Sequence, residues 1–210
     1  MGVEVYARST TVIADPSSID RAVTLVRDEI MPALMAIDGC IGVSCLIERD
    51  SGRCIATSAW ESMETMTASE SQVAPLRSRL TASVGAAGPL VQEWEIPLMH
   101  RAQPAPTGAY ARLSWLQGDT ANMDDSIESF RMILPMLDEL PGFCSASLLV
   151  DRDTGQAVST VVYESSAAVA RTREVGQSLR NRIAQQAGLE IVEVAEFELA
   201  LAHLRVPELV

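Results

Sequence analysis

Residues 47–62 read IERDSGRCIATSAWES, and residues 150–165 read VDRDTGQAVSTVVYES. In each stretch two runs rich in apolar and β-branched residues flank a short polar turn that ends in glycine, which is the pattern of a β-hairpin. The two stretches align without a gap at an offset of 103 residues, and further matches follow along the chain. Near the start the offset is 104, where Tyr6–Arg8 match Tyr110–Arg112. The sequence therefore predicts two diverged copies of one module of about 100 residues.

Each copy has the same predicted order of elements: strand, helix, strand, strand, helix, strand. In the first copy, Asp15 and Pro16 are typical of a helix N-terminus, and Gly39 is typical of a helix end. Pro32 and its counterpart Pro135 predict a bend inside the first helix of each copy. The second helix of the first copy is expected over residues 62–83 with an interruption near Pro75. The predicted strands and helices of the two copies cover residues 3–13, 16–39, 41–49, 53–60, 62–83 and 90–99, and residues 109–117, 121–139, 143–151, 156–163, 165–186 and 189–203.

This βαββαβ order predicts an α+β fold of two tandem ferredoxin-like repeats. In such a repeat both helices cover one face of a four-stranded antiparallel sheet, and the other face lacks cover. We expect the second copy to supply that cover, so that the two repeats form an intramolecular dimeric α+β barrel, a pseudo-dimer within one chain. The predicted domains are residues 1–100 and 109–210, joined by a proline-rich linker over residues 101–108.

Composition narrows the classes of partner. With 48% hydrophobic residues the chain can form a core, and its net charge of −12 disfavours nucleic acid and anionic membranes as partners. No leader or long apolar segment is evident after Met1, which favours a cytoplasmic protein. The cysteines have no metal-ligand spacing and are expected to be reduced core thiols, with a disulfide as the weaker alternative. They are Cys40, Cys45, Cys54 and Cys144.

Beyond the element order, two motifs carry a family likeness. They are Trp60-Glu61-Ser62, where the third strand meets the second helix, and Glu93-Trp94-Glu95 in the closing strand. The chain resembles the dimeric α+β barrel superfamily and, within it, the antibiotic biosynthesis monooxygenase family. Its duplicated form, with the opening at Tyr6–Thr11 and the tail at Ala202–Val210, is similar to a small group of mycobacterial proteins associated with starvation. The resemblance implies a cleft between sheet and helices in which cofactor-free oxygenases hold planar substrates.

The resemblance also supplies a test for haem and metals. Haem-degrading relatives use a histidine and a tryptophan on the second helix, but residues 62–83 and 165–186 contain neither. We therefore expect no haem degradation and no cofactor. His100 and His203 occupy equivalent positions just past the closing strands, and without metal ligands at a suitable spacing beside them a structural role is favoured over a metal site.

Candidate ligand-binding residues come from the first strands, the third strands and the closing strands. Arg8 and Arg112 are expected to form cross-strand ion pairs, and binding of a carboxylate or phenolate ligand is the alternative for them. The aromatic candidates are expected either to stack on a ligand or to belong to the core. The expected partners of the arginines are Glu93, Glu95, Glu196 and Glu198. The full set of candidates is Tyr6, Arg8, Trp60, Trp94, Tyr110, Arg112, Trp115 and Tyr163.

Two functions remain open at the level of sequence. The first is a protein that binds a small aromatic or hydrophobic molecule on a cofactor-free monooxygenase-like scaffold, with oxygenase activity as an extension. The second is a non-enzymatic stress or starvation protein whose clefts are filled by its own side chains. No nucleophile with its base, phosphate loop or zinc helix is recognisable, so no catalytic residue is assigned. A further homo-oligomer is compatible with both functions.

Overall fold

A computed structural model of the protein describes residues 4–86 and 88–210. The start of the first predicted strand, at Val3, lies outside these residues. The elements of the first half are β1 Tyr6–Ile13, α1 Ile19–Leu25, α2 Met31–Met35, β2 Cys40–Glu48, β3 Arg53–Trp60, α3 Met63–Ala68, α4 Glu70–Ser83 and β4 Leu90–Arg101. Those of the second half are β5 Tyr110–Gln117, α5 Met123–Arg131, α6 Leu134–Asp138, β6 Phe143–Asp151, β7 Gln156–Tyr163, α7 Ser166–Arg171, α8 Arg173–Ala187 and β8 Glu190–Leu204.

The chain has a mixed α+β fold with antiparallel strands and divides into two compact units. The first unit contains the described residues up to Trp94 together with Glu198–Val206. In it β1 lies between β4 and β3, and β3 pairs with β2. The final segment of β8 completes this unit by pairing with β2, from Gly42 opposite Leu204 to Ile47 opposite Glu198.

The second unit contains Glu95–Phe197 and the last four residues of the chain. Here β5 lies between β8 and β7, and β7 pairs with β6. The final segment of β4, from Glu95 to Arg101, pairs with β6. The first unit therefore includes the end of β8 from the second half of the chain, and the second unit includes the end of β4 from the first half.

The core of each unit lies between its helices and one face of its sheet. In the first unit Val43 and Ile47 of β2 are almost fully buried, and they pack in one cluster with Ile19, Val26 and Ile30 of the first helix. In the second unit the corresponding cluster joins β6 and β7 to α5, α6 and α8. Burial of these apolar side chains is the main stabilising term for each unit.

The predicted turn and cap residues have their expected roles. Asp15 has extended backbone, and its carboxylate accepts a hydrogen bond from the Ser17 amide at 2.9 Å, as an N-cap does. Gly52, in the first hairpin turn, has a φ of +75°. A Cβ atom there would lie 2.2 Å from the carbonyl oxygen of Ala14, so this close approach of two backbone segments requires glycine.

The first helix of each half is irregular where proline was predicted to bend it. In the first half residues Val26–Ile30 form a turn of π-helix immediately before Pro32. In the second half the helix stops at Arg131 and resumes at Leu134, which places Pro135 in the first turn of α6. A proline in a first turn has no hydrogen bond to lose, and a π-turn absorbs the missing bond in a continuous helix. Each half therefore has an irregular first helix near its proline, and the irregularity differs between the halves.

The second helix of the first half is interrupted at Ser69, so the predicted interruption near Pro75 is wrong. Pro75 lies inside α4, and the helix continues through it. The second half has the same interruption at Thr172, although serine occupies the position equivalent to Pro75. Both residues turn their hydroxyls back onto the preceding helix: Ser69 Oγ donates to the Met66 carbonyl at 2.6 Å, and Thr172 Oγ1 donates to the Ala168 carbonyl at 3.0 Å. Local competition by a hydroxyl side chain accounts for the interruption.

All four cysteines are free and buried, as predicted. Burial raises the pKa of the Cys45 thiol to about 12. Within residues 4–86 and 88–210, every helix is too short or too polar to cross a lipid bilayer.

Candidate functional site: a cavity between sheet and helices in each unit

The first unit contains a cavity between its sheet and its helices, with about 470 Å³ of empty space that includes open solvent. Arg8 and Thr10 of β1 lie on the sheet side, and Val73 and Arg77 of α4 lie on the helix side. Most of the remaining lining is aliphatic. It includes Val26, Ile30, Leu34, Val43, Leu76 and Leu80.

The second unit contains a cavity in the equivalent place, with about 520 Å³ of empty space that includes open solvent. Arg112 and Ser114 of β5 and Tyr163 of β7 lie on the sheet side, and Gly176 and Arg180 of α8 lie on the helix side. The apolar part of the lining comes from both helices and the strands. It includes Leu116, Phe130, Ile133, Leu137, Val161, Leu179 and Ile183. Both have the lining typical of small-molecule sites, which are usually apolar with a few polar groups.

Arg8 is buried in the first unit and has a polar partner for each of its three guanidinium nitrogens. Its Nε and Nη2 donate to Glu93 Oε1 at 2.9 and 2.7 Å, and its Nη2 also donates to the Met66 carbonyl at 3.0 Å. Its Nη1 donates to Ser69 Oγ at 3.2 Å and lies 3.2 Å from Glu70 Oε2. Met66 lies in the last turn of α3, where carbonyls lack intrahelical partners and a positive charge is favourable. Arg8 therefore has a structural role, as the predicted ion pair with Glu93 indicated.

Arg112 has the same position in the second unit, but one of its nitrogens lacks a partner. Its Nε and Nη2 donate to Glu196 Oε1 at 3.3 and 3.0 Å, and its Nη2 donates to the Val169 carbonyl at 2.7 Å. Its Nη1 is buried and has no hydrogen-bond partner within the described part of the chain. Arg112 is only 5% exposed, so water cannot readily satisfy this nitrogen. The guanidinium also lies over the Tyr163 ring, with Cζ 5.9 Å from the ring centroid.

The charges around the two arginines differ between the units. In the first unit Glu70 forms a two-point ion pair with Arg77, at 3.0 and 3.1 Å, and the pKa of Glu70 is lowered mainly by these hydrogen bonds. The residue 103 positions after Glu70 is Arg173, which instead pairs with Glu196 at 3.0 Å.

The pKa values of Glu196 and Arg180 are both lowered, in part by nearby positive charge. Burial raises the pKa of Glu196, but hydrogen bonds from Arg112 and Arg173 outweigh burial, and the pKa is lowered overall. Arg180, the counterpart of Arg77, has no ion-pair partner among the residues described. Its pKa is lowered first by burial and then by the charge of Arg112.

Of the predicted ligand-binding residues, Arg8, Arg112 and Tyr163 line the two cavities. Three others pack in the first unit away from its cavity lining. Trp60 is fully buried, and its Nε1 donates to Ser58 Oγ at 3.0 Å. Trp94 is 4% exposed and donates to Ser9 Oγ at 2.9 Å, while Tyr6 packs at the edge of the core cluster.

The two remaining aromatic candidates lie in the second unit outside its cavity lining. Tyr110 is partly buried against Tyr163 and the start of α7. The Trp115 ring packs against Phe197 with centroids 6.1 Å apart. These contacts are those of core aromatic residues, the second of the two roles expected from sequence.

The two histidines lie within β4 and β8, and β4 extends past its predicted end at residue 99 to include His100. His100 is bracketed by carboxylates: its Nε2 lies 2.7 Å from Asp138 Oδ1, and its Nδ1 lies 2.7 Å from Glu208 Oε1. Burial lowers the pKa of His100, but the two hydrogen bonds outweigh burial and leave the pKa raised. His203 is exposed, so the pair is not equivalent in its contacts. In the described ranges no group of three His, Cys, Asp or Glu side chains could hold a metal ion.

Gly176 and Arg180 line the second cavity but were not among the residues predicted from sequence, and neither was Arg173. The signal lay in the alignment of the two halves, where Glu70 aligns with Arg173, Val73 with Gly176 and Arg77 with Arg180. Val73 and Gly176 line the cavities of their units, whereas Glu70 and Arg173 form ion pairs outside the lining.

No family model matches the chain, but solved structures with a similar fold exist. Among solved structures, a Fusobacterium nucleatum protein provisionally named a monooxygenase has a TM-score of 0.73 at 11% identity, covering 98% of this chain and 96% of that one. A structure described as an anthrone oxidase-like protein has a TM-score of 0.69 at 12% identity, covering 97% and 94%. At these identities the similarity shows the fold alone.

Similarity in sequence is much higher to two Mycobacterium tuberculosis proteins of strain ATCC 25618 / H37Rv. Uncharacterized protein Rv2558 is 51% identical over 211 residues, covering 100% of this chain and 89% of the relative. Uncharacterized protein Rv2557 is 50% identical over 207 residues, covering 98% and 92%. The chain therefore belongs to the family of these mycobacterial proteins.

Proposed function

We propose that this protein binds a small, largely apolar molecule in the cavity of its second unit. The observation that carries the proposal is the lining of this pocket: aliphatic and aromatic walls between sheet and helices, with two arginines. The unpartnered nitrogen of Arg112 in this lining favours a binding protein over a stress protein with filled clefts, since a cleft filled by its own side chains is expected to satisfy its buried polar groups. Removing apolar ligand surface from water supplies the affinity.

The monooxygenase-like scaffold supports an extension of this proposal to oxygenase chemistry without a cofactor. The relevant comparison is the anthrone oxidase-like structure. In such a reaction one dioxygen molecule converts the methylene of an anthrone into a carbonyl and leaves its second oxygen atom in water, so the substrate itself supplies the electrons.

We also propose that the chain arose by duplication and that its two units form a pseudo-dimer. The association with starvation of similar proteins is proposed to extend to this chain.

Binding is tested by isothermal titration calorimetry with a neutral aromatic probe, naphthalene-2-carboxamide. The cavity-filling variant Ser159→Leu places a larger side chain on the sheet side of the second cavity, and Ala56→Leu does the same at the equivalent position of the first. We expect Ser159→Leu to abolish binding and Ala56→Leu to preserve it. Absence of heat with the unmodified protein, or equal binding by the Ser159→Leu variant, would contradict the proposal.

The oxygenase extension has a separate readout. Anthrone and dioxygen are incubated with the protein, and anthraquinone formation is followed by absorbance and mass spectrometry. We expect product formation above the spontaneous rate, and Ser159→Leu should reduce it to that rate. Binding without turnover would retain the binding function and refute the extension.

A further inference from the structure

The second unit holds more guanidinium charge around its cavity than it neutralises. Arg112 and Arg180 line the cavity, Arg173 lies outside the lining, and Glu196 is the carboxylate that pairs with Arg112 and Arg173. In a chain of net charge −12 this local excess of positive charge is unusual. A buried charged group without a full set of partners is costly, so such a group indicates either strain or a missing ligand.

The first unit shows what a neutralised version of this site looks like. There Glu93 and Glu70 balance Arg8 and Arg77, and the Nη1 of Arg8 has both Ser69 and Glu70 as partners. The Nε of Arg77 lacks a partner, but both of its terminal nitrogens contact Glu70. Glu70 therefore helps to neutralise both arginines of the first unit without an added anion.

The second unit has no carboxylate at that position and has glycine where the first unit has valine. Arg173 stands in place of Glu70, and Gly176 in place of Val73. A Cβ atom at Gly176 would lie 2.8 Å from the unpartnered Nη1 of Arg112. Glycine therefore lets the Arg112 guanidinium approach the backbone of α8, and both residues line the cavity.

We propose that the second cavity binds an organic carboxylate, with the carboxylate group at Arg112 and Arg180 and the apolar body against the helices. This inference rests on the binding function proposed above and names its ligand class. The ligand carboxylate takes the role that Glu70 has in the first unit. A carboxylate on an apolar body fits because guanidinium groups bind carboxylates through paired hydrogen bonds, while the rest of the lining is aliphatic or aromatic. The first cavity, already neutralised, should have no such preference.

The test compares isosteric probes that differ in charge. Naphthalene-2-carboxylate and decanoate are titrated calorimetrically into the full chain beside their primary amides at neutral pH. We expect each carboxylate to bind about tenfold or more tightly than its amide, in line with charge-assisted hydrogen bonds in a buried site.

Variants assign this preference to the second unit. Arg173→Glu restores the charge found in the first unit, so we expect carboxylate affinity to fall about tenfold while amide affinity changes little. Arg171→Glu is the matched control: it makes the same charge change at the exposed end of α7, and affinity should stay within about twofold. Circular dichroism verifies that both variants are folded.

The outcomes separate the two proposals. Equal affinity of carboxylate and amide refutes the carboxylate inference and leaves the binding function intact. An Arg173→Glu effect no larger than that of Arg171→Glu also refutes the inference, because general electrostatics then explains the preference. If none of the four probes binds, the binding function fails and the inference fails with it.

Discussion

Replacing the buried arginine of each unit by methionine should destabilise the first unit more than the second. Arg8→Met and Arg112→Met remove side chains of the same type from the same strand position. Both arginines pair with a glutamate and cap a carbonyl of a short helix. They differ at Nη1, which has two partners in Arg8 and none in Arg112 among the residues described.

The expected difference follows from these contacts. The buried hydrogen bond from Arg8 to Ser69 contributes about 1 kcal/mol to the free energy of unfolding. The ion pair with Glu70 contributes at most about 1 kcal/mol, because the Glu70 side chain is 49% exposed. In the second unit methionine also relieves the desolvation cost of the unpartnered nitrogen, about 1 kcal/mol or more. Arg8→Met should therefore cost about 2 kcal/mol more than Arg112→Met.

Urea unfolding followed by far-ultraviolet circular dichroism measures this difference. With a slope of about 3 kcal/mol per molar urea, 2 kcal/mol corresponds to a midpoint difference of about 0.7 M. Ser69→Ala serves as the intermediate control and should lower the stability by about 1 kcal/mol. If Arg112→Met shifts the midpoint as far as Arg8→Met does, the Nη1 contacts of Arg8 contribute nothing to stability, and the expected difference between the two units is wrong.

Two further predictions concern titratable groups. The raised pKa of His100 means that its ion pairs stabilise the fold fully below the unfolded pKa of about 6.5 and that this contribution is lost as pH rises through the folded pKa. His100→Gln should therefore cost stability at pH 5.5 and much less at pH 8.5 in thermal unfolding, and a cost independent of pH would contradict the assignment. Cys45 is 4% exposed, and its pKa is raised to about 12. This thiol should therefore stay unmodified by a disulfide reagent at pH 8 and react fully in urea, as read by mass spectrometry. Labelling of Cys45 in the folded protein would contradict this prediction and show that its burial is transient.

Much of the secondary structure could be predicted because its determinants are local. The turn before Arg53 needs glycine for its positive φ, the Asp15 carboxylate caps the next amides, and apolar periodicity separates strands from helices. The interruption of the second helix was predicted at Pro75 because proline is a strong signal in sequence for a helix break. The interruption lies instead at Ser69, whose hydroxyl donates to the Met66 carbonyl, and a serine is only a weak signal in sequence for a helix break.

The candidate site was predictable only in part. Arg8 and Arg112 were identified because a charged residue on a buried strand needs a partner, and their partners Glu93 and Glu196 were among those expected. The aromatic candidates were harder, because a tryptophan such as Trp60 has the same pattern in sequence whether it contacts a ligand or packs in a core. Domain bounds, the pseudo-dimer and the ligand-binding role of these residues stay predictions.

By itself the sequence determined the repeated order of strands and helices, since hydrophobic periodicity, turn glycines and capping residues act within a few positions along the chain. Tertiary structure alone decided which nitrogen of Arg112 lacks a partner and how closely that nitrogen approaches Gly176. Those facts depend on distances between β5 and α8, which lie about 60 residues apart in sequence. Packing fixes such distances, and no local pattern encodes them.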